Sequence, residues 1–114
     1  MTVDTPARLD QPTAEFFAVL SSPIRLSILQ LLVGGERCVS ELVDALQIAQ
    51  PRLSNHLACL RTCGFVTVRR QGTFMYYRLA TPRLAKLIGL AATLAQSSAD
   101  GLRSCIVLRE EREG

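Results

Sequence analysis

Two short helix-forming segments, residues 38–46 and 50–63, are separated by only three residues, and this spacing restricts the possible folds more than any other feature. Cys38 occupies a helix-start position with Glu41 three residues later, which is the spacing of a capping box. Gly64 follows the second segment and predicts a left-handed helix cap. The two segments therefore predict a helix–turn–helix unit.

The flanking sequence predicts further elements in a definite order. Ser22-Pro23 and Thr81-Pro82 each place a capping residue before a proline, a pattern typical of helix starts. The β-rich runs 65–70 and 73–79 predict a hairpin. The order is helix, helix, short helix, turn, helix, hairpin, helix. It predicts a mainly α fold with a β-hairpin, the winged helix-turn-helix, with about five to six helices and a two-stranded wing.

The chain divides by composition into an N-terminal arm (1–12), a winged domain (13–95) and a C-terminal tail (96–114) that carries Cys105. We expect the terminal helices of the winged domain to dimerise. The apolar content of 48% in 114 residues is sufficient for one compact core. No stretch approaches the length of an uninterrupted apolar membrane span, and the N-terminus lacks the apolar region of a signal peptide. We therefore expect a cytoplasmic protein with no membrane partner.

The charges are distributed unevenly along the chain. No acidic residue lies between Asp44 and Asp100, although the net charge of the whole chain is only +3. Seven basic residues occupy that window: Arg52, Arg61, Arg69, Arg70, Arg78, Arg83 and Lys86. A block of positive charge without counter-charges predicts a polyanionic partner, most simply double-stranded DNA. The alternative is an accidental distribution on a solvated surface.

Candidate DNA contacts lie at the start of the second helix of the unit and at the hairpin. Residues that read base edges are short or planar polar groups near the start of a recognition helix. Four residues satisfy this condition: Gln50, Arg52, Ser54 and Asn55. The hairpin tip offers three groups for phosphate or the minor groove: Arg69, Arg70 and Gln71. The alternative for these three is a solvated hairpin end, and His56 is ambiguous between packing against the domain and contacting phosphate.

The apolar faces of the terminal helices predict a homodimer. A single winged domain makes few phosphate contacts, so specific binding normally requires a symmetric dimer on a palindromic site. The first and last helices of the winged domain carry more apolar surface than a chain of this length readily buries. The interface candidates are Phe16, Phe17, Leu84, Leu87, Ile88, Ala91 and Leu94. The alternative is that these side chains close the core of the monomer.

Four motifs together resemble the ArsR–SmtB family of metal-sensing repressors over roughly residues 13 to 95. They are Ser22-Pro-Ile-Arg-Leu-Ser-Ile-Leu29, Cys38-Val-Ser-Glu-Leu42, Gln50-Pro-Arg-Leu-Ser-Asn-His-Leu57 and Gly64-Phe-Val66. The resemblance implies a homodimeric repressor of an efflux or detoxification operon. It further implies that the protein binds a palindromic operator and releases it when a metal ion binds.

Residues 55–64, Asn-His-Leu-Ala-Cys-Leu-Arg-Thr-Cys-Gly, resemble the CmtR type of cadmium/lead sensor within that family. This resemblance implies that Cys59 and Cys63 bind the inducer and that Cys105 of the other protomer supplies a third thiolate. Thiols at i and i+4 share one helix face, and three thiolates favour the soft ions Cd(II) and Pb(II), or As(III). An extended segment between Ala95 and Cys105 spans roughly 30 Å, enough to reach a neighbouring protomer. DNA binding itself requires no cofactor.

Two departures from the family pattern narrow the choice of metal site. The family's cysteine pair on the earlier helix is Cys38-Val39-Ser40 here, so that site lacks one ligand. Residues 82–98 contain neither Asp nor His, which argues against the family's zinc site on the last helix.

Other functions for the same residues remain open. A thiol-based redox or sulfane-sulfur repressor would use these cysteines by oxidation. An architectural DNA-binding protein would respond to neither metal nor oxidant. An enzyme is not expected, because no acid lies near His56 and no glycine-rich phosphate loop or carboxylate pair is present.

Overall fold

The computed structural model of the chain describes residues 10–113, with side chains for residues 10–106. The elements in this range are α1 (Gln11–Leu20), α2 (Pro23–Val33), β1 (Arg37–Cys38), α3 (Val39–Leu46), α4 (Gln50–Thr62), β2 (Val66–Gln71), β3 (Phe74–Leu79), α5 (Pro82–Ser97) and α6 (Ala99–Glu113). The predicted order of helices and hairpin is confirmed. The chain divides into two compact units, with the boundary between Thr81 and Pro82. Most of the predicted arm, residues 1–9, lies outside the described residues.

The sheet contains three antiparallel strands in the order β1-β3-β2, one strand more than the predicted two-stranded wing. In the additional strand, Arg37 pairs with Tyr77 and Cys38 pairs with Tyr76. A strand of two residues is too short to show a period-2 pattern, so local sequence carries no signal for it. It forms because β3 presents a free edge to the segment that precedes α3.

The core of the first unit is built mainly from α2, α3 and α4. Six side chains from these helices are fully buried: Ile28, Leu29, Leu42, Leu53, Leu57 and Leu60. The three leucines of α4 follow one another at spacings of four and three, so they occupy a single face of that helix. Each such buried leucine stabilises the fold by roughly 1.5–3 kcal/mol relative to an exposed one. Because the leucine face packs into the core, the opposite face of α4 lies at the surface, where it can contact another molecule.

The helix ends follow the sequence signals closely. Ser22 Oγ accepts a hydrogen bond from the Arg25 backbone N–H at 3.3 Å, as expected of the N-cap of α2. Glu41 Oε1 accepts a hydrogen bond from the Cys38 backbone N–H at 2.9 Å, which is the carboxylate half of the predicted capping box. The turn between α3 and α4 begins at Gln47, a non-glycine residue with φ of 56°.

The second unit consists of α5 and α6. Leu84 and Ile88 are buried, whereas every residue from Gly89 to Ile106 is exposed. The segment that carries Cys105 is helical, so the extended span of roughly 30 Å is an upper limit that the chain does not reach. Ten residues of α-helix rise by roughly 15 Å, about half of the extended span. The reach of Cys105 therefore depends on where α6 lies and not on chain length alone.

Within the described residues, no single helix has the length and apolar composition of a membrane span. Taken together, α1 and α2 have this length and apolar composition, but the chain bends by 84° between them.

Candidate nucleic-acid interface and thiol site

The first turns of α4 present a polar face. Gln50, Arg52, Ser54 and Asn55 are all exposed, whereas the leucines of the same helix are buried. Ala49 occupies the N-cap position and makes no side-chain hydrogen bond to the helix. The first backbone N–H groups of α4 therefore lack a side-chain acceptor and can bind an anion such as a phosphate. The structure thus brings the four predicted base-reading side chains together at an uncapped helix start.

His56 lies beside this face but is half-buried. Burial lowers the pKa of its imidazole, and the positive charges of Arg25 and Arg52 lower it further. The neutral form is therefore favoured at neutral pH. This electrostatic environment argues against a cationic contact between His56 and phosphate.

The wing holds Arg69 in a network of side-chain contacts. Arg69 Nε donates to Glu36 Oε2 at 2.7 Å, and Nη2 donates to Glu36 Oε1 at 2.8 Å. Nη1 donates to Gln71 Oε1 at 2.7 Å. The guanidinium carbon lies 4.6 Å from the centroid of the Tyr76 ring. Arg69 of β2 therefore reaches across β3 to the residue that precedes β1, and it connects all three strands.

This network decides which of the three residues predicted to contact DNA from the wing already have partners within the protein. Arg69 is engaged with both Glu36 and Gln71, an arrangement that neither the predicted DNA contact nor the alternative of a solvated hairpin end anticipated. Arg70 is exposed and makes no hydrogen bond or ion pair with the described side chains. Sequence reasoning missed Glu36 because it lies 33 positions from Arg69, a distance at which local patterns carry no information.

The predicted thiol pair lies at the C-terminal end of α4. Cys59 is half-buried in the last turn, and Cys63 is the exposed C-cap residue. Desolvation raises the pKa of the Cys63 thiol. The neighbouring Cys59 raises it further through its charge and a side-chain hydrogen bond, while Arg25 lowers it. The Cys63 backbone N–H donates to Cys59 O at 2.9 Å, so the two residues are one helical turn apart, as the i and i+4 spacing predicted.

The other two cysteines lie on other elements of the chain. Cys38 is buried and its Sγ lies 3.1 Å from Ser40 Oγ, whereas Cys105 is exposed on α6. No group of three or more His, Cys, Asp or Glu residues within the described residues is arranged to hold a metal ion. Two adjacent soft donors suit a soft ion of low coordination number. A third ligand would have to come from elsewhere, such as a second protomer.

The seven predicted dimer residues differ in exposure, with Phe16 and Leu87 half-buried and Ala91 exposed. Leu84 and Ile88 are buried within the single chain, as in the alternative of core packing, and they offer no apolar surface to a partner. Phe17 and Leu94 are 52% and 58% exposed. Among the described residues, five large apolar side chains outside the predicted set are also exposed, three of them on α5 and α6: Leu90, Leu102 and Ile106. The spacing of four between Leu90 and Leu94, repeated in the pair on α6, was a signal that could have found them.

Comparison with known proteins identifies the family. The sequence profile of the bacterial regulatory proteins of the arsR family matches residues 22–68. A probable mercury resistance operon repressor of Streptomyces lividans is 41% identical over 112 residues, which cover 98% of this chain and 90% of the relative. The chain belongs to the arsR family of bacterial regulatory proteins.

Solved structures of arsR-family neighbours confirm the predicted fold. Rv0081 of Mycobacterium tuberculosis has a TM-score of 0.74 and 38% identity, covering 87% of this chain and 99% of that one. The homodimeric winged helix-turn-helix DNA-binding domain of Mb0332 from Mycobacterium bovis has a TM-score of 0.71 and 34% identity, covering 84% and 91%. The arsR-family chain described here is therefore a winged helix-turn-helix protein. Its helix-turn-helix is α3 and α4, and its wing is built from β2 and β3.

Proposed function

We propose that this protein is a repressor that binds operator DNA as a homodimer and releases it when a soft metal ion binds Cys59 and Cys63. The observation that carries the proposal is the placement of both thiols at the end of α4, where the Cys63 backbone N–H donates to Cys59 O at 2.9 Å, while the start of the same helix presents polar side chains. A metal held by both sulfurs would be attached to the element that we expect to read DNA. Inducer and operator would thus act on one helix.

The choice among soft ions rests on the number and kind of ligands. Cd(II), Pb(II) and As(III) suit a site with a third thiolate, for which we propose Cys105 of the partner copy. Two thiolates alone suit Hg(II), which favours two-coordinate linear binding. The mercury operon repressor of Streptomyces lividans, which covers nearly the whole chain, makes Hg(II) the ion to test beside Cd(II).

Release requires that the metal bind the DNA-free state more tightly than the DNA-bound state. The ratio of the two metal affinities equals the factor by which metal weakens DNA binding. A coupling of about 1–3 kcal/mol is typical of such systems and weakens DNA binding about 5- to 150-fold. Binding that does not distinguish the two states would leave repression unchanged.

The test is a titration of the fully reduced protein with Cd(II) and Hg(II), following sulfur-to-metal charge-transfer absorption in the wild type and in Cys63→Ser, Cys105→Ser and Cys38→Ser. We expect a band in the wild type that is lost in Cys63→Ser, weakened for Cd(II) in Cys105→Ser and unchanged in Cys38→Ser. In parallel, fluorescence anisotropy follows release of DNA selected by the protein from a random pool. The absence of a band with either ion in the wild type would refute the metal-binding proposal.

Metal affinity should increase with pH. A thiol must lose its proton to bind a metal, and the environment of Cys63 raises its pKa and so favours the protonated form. We expect the apparent affinity to rise up to and above about pH 8.5, the ordinary pKa of a cysteine thiol, with about two protons released per metal ion. Calorimetric titrations in buffers of different ionisation enthalpy measure the proton count. A pH-independent affinity would contradict binding by both thiols.

The second candidate is a repressor that responds to oxidation of the same pair. The placement of Cys59 and Cys63 one helical turn apart favours it, because a peroxide can oxidise one thiol to a sulfenic acid that the other thiol then attacks. This reaction reduces the peroxide to water, forms the disulfide and releases a second water. Loss of DNA binding after peroxide treatment without metal, reversed by dithiothreitol, would favour this candidate. Stoichiometric metal binding with DNA release under reducing conditions favours the first.

A further inference from the structure

Cys63 lines a groove in addition to facing Cys59. The groove lies between α1 and the segment that follows α4, and its volume is about 290 Å³. Six residues line it: Pro12, Glu15, Phe16, Val19, Cys63 and Phe65. Glu15 is the single charged residue among these six. An exposed thiol that can bind a metal is therefore placed at the wall of a mainly apolar, partly aromatic groove.

The backbone at the end of α4 fixes both the thiol and the aromatic wall. Phe65 N–H donates to Leu60 O at 2.9 Å, and Gly64 N–H donates to Arg61 O at 3.1 Å, which together form a Schellman motif. The Phe65 ring that follows packs against Phe16, with ring centroids 4.9 Å apart. Cys63 therefore precedes a rigid turn whose next side chain forms the floor of the groove.

We propose that this groove makes the site a receptor for monoorganomercury compounds, R–Hg–X, in which the organic group R occupies the groove. The proposal rests on soft-metal binding at Cys63, and it names a ligand class within that function. A bare metal ion would bind only the sulfur atoms, and the groove would remain empty. An organomercury cation already has one mercury–carbon bond and needs only one thiolate.

The reaction is a ligand exchange without a change of oxidation state. The Cys63 sulfur forms a bond to mercury, the bond between mercury and X breaks, and the thiol proton leaves with X⁻ as HX. Because two-coordinate mercury is linear, R projects away from the Cys63 sulfur along the sulfur–mercury axis. A cavity of roughly 150 Å³ holds a benzene molecule in a protein core, so a groove of about 290 Å³ has room for an aryl or a short alkyl group.

The experiment measures the affinities of the reduced full-length protein for methylmercury, ethylmercury and phenylmercury in competition with glutathione. Dividing by the glutathione affinity removes the intrinsic difference between the mercurials. We expect the corrected affinity to increase from methyl to phenyl by at least about tenfold, the effect of burying the equivalent of about two methylene groups. Equal corrected affinities for all three compounds would overturn the proposal. Cys63→Ser should abolish the preference and Cys59→Ser should retain it, and the reverse pattern would also overturn it.

A matched pair of variants tests the groove itself. Val19→Phe places a ring in the groove and should remove the preference for phenyl, whereas Ala18→Phe adds the same ring on the exposed, neighbouring position and should leave it unchanged. The series of three mercurials on the wild type gives an answer even if Val19→Phe does not fold. If Hg(II) binds but the three organomercury compounds bind equally well, the proposed metal sensor stands. Only the proposed role of the groove would then be refuted. Failure of Hg(II) and Cd(II) to bind would refute the sensor.

Discussion

In the wing, contacts within the protein engage an arginine side chain whose positive charge alone would predict a contact with DNA. Arg69 lies in the acid-free, basic window and is about half exposed, yet both its terminal nitrogens and its Nε are engaged by Glu36 and Gln71. Such an exposed pair contributes little to stability. The Glu36 carboxylate instead competes with DNA, because it occupies the Arg69 N–H donors that a phosphate would need.

Glu36→Gln should therefore strengthen DNA binding. The substitution removes the anionic acceptor and frees Arg69 for phosphate, so the slope of log affinity against log salt should become steeper by about one unit. Glu15→Gln removes the same charge from α1 and should leave the slope unchanged. Anisotropy titrations at several salt concentrations measure both variants. An unchanged slope in Glu36→Gln would show that Arg69 stays with the wing in the complex.

The same contact makes a prediction about pH. The hydrogen bond from Arg69 lowers the pKa of Glu36 in the folded protein, so its contribution to stability is present above the ordinary carboxyl pKa of about 4.3 and is lost as pH falls through the lowered value. The difference in unfolding free energy between the wild type and Glu36→Gln should be constant above about pH 5 and should shrink below about pH 4. Urea unfolding across this range measures it, and a difference that grows with acid would contradict the assigned ion pair.

At the scale of elements, α4 carries residues of the proposed function at both of its ends. Its start is uncapped and polar, and its end is fixed by the Schellman motif that positions Cys63 and Phe65. The motif needs a residue at positive φ, and Gly64 has a φ of 81°. No atom lies within 4 Å of the position that a Cβ would take there, so a substitution would meet backbone strain and not a steric clash.

Gly64→Ala should destabilise the fold by about 1–2 kcal/mol, the cost of a left-handed conformation for a residue with a Cβ. Gly89 offers the matched control, since it lies in the interior of α5 with equally open surroundings. Gly89→Ala should stabilise the protein by about 1 kcal/mol, because alanine favours the helix. Urea unfolding measures both. A loss of stability in Gly89→Ala as large as that in Gly64→Ala would show that added bulk, and not φ, is the cause.

At the scale of the whole molecule, exposed apolar side chains concentrate in the second unit. Of the large apolar residues that are well exposed, four lie on α5 and α6: Leu90, Leu94, Leu102 and Ile106. An exposed apolar stripe of this kind marks an interaction surface. The homodimeric neighbour from Mycobacterium bovis supports a second copy of the chain as the partner. We therefore place the proposed dimer contact on this stripe.

Leu94→Glu should shift the protein from dimer to monomer and weaken DNA binding, because it buries a charge in the proposed interface. Ala92→Glu, which adds the same charge two residues away on another face of α5, should leave the dimer intact. Sedimentation velocity over a range of concentrations measures the mass of each variant. A dimer that persists in Leu94→Glu would move the interface to another surface, with Phe17 of α1 the next candidate.

The sequence determined the features that depend on near neighbours. The N-cap at Ser22, the carboxylate half of the capping box at Glu41, the Gly64 cap and the leucine face of α4 were all readable because their partners lie within a few residues. The adjacency of Cys59 and Cys63 was readable for the same reason, since helical periodicity alone brings i and i+4 together.

Tertiary structure alone decided the features whose partners are distant in sequence. The strand β1 exists because β3 offers an edge to it, and Arg69 is engaged because folding brings Glu36 across the sheet. Burial separated Leu84 and Ile88 from the exposed leucines of the same apolar stripe. The groove beside Cys63 forms only where Phe65 meets Phe16 of α1. Periodicity predicts which face of an element is apolar. Which residues cover that face depends on contacts that form only when the chain folds.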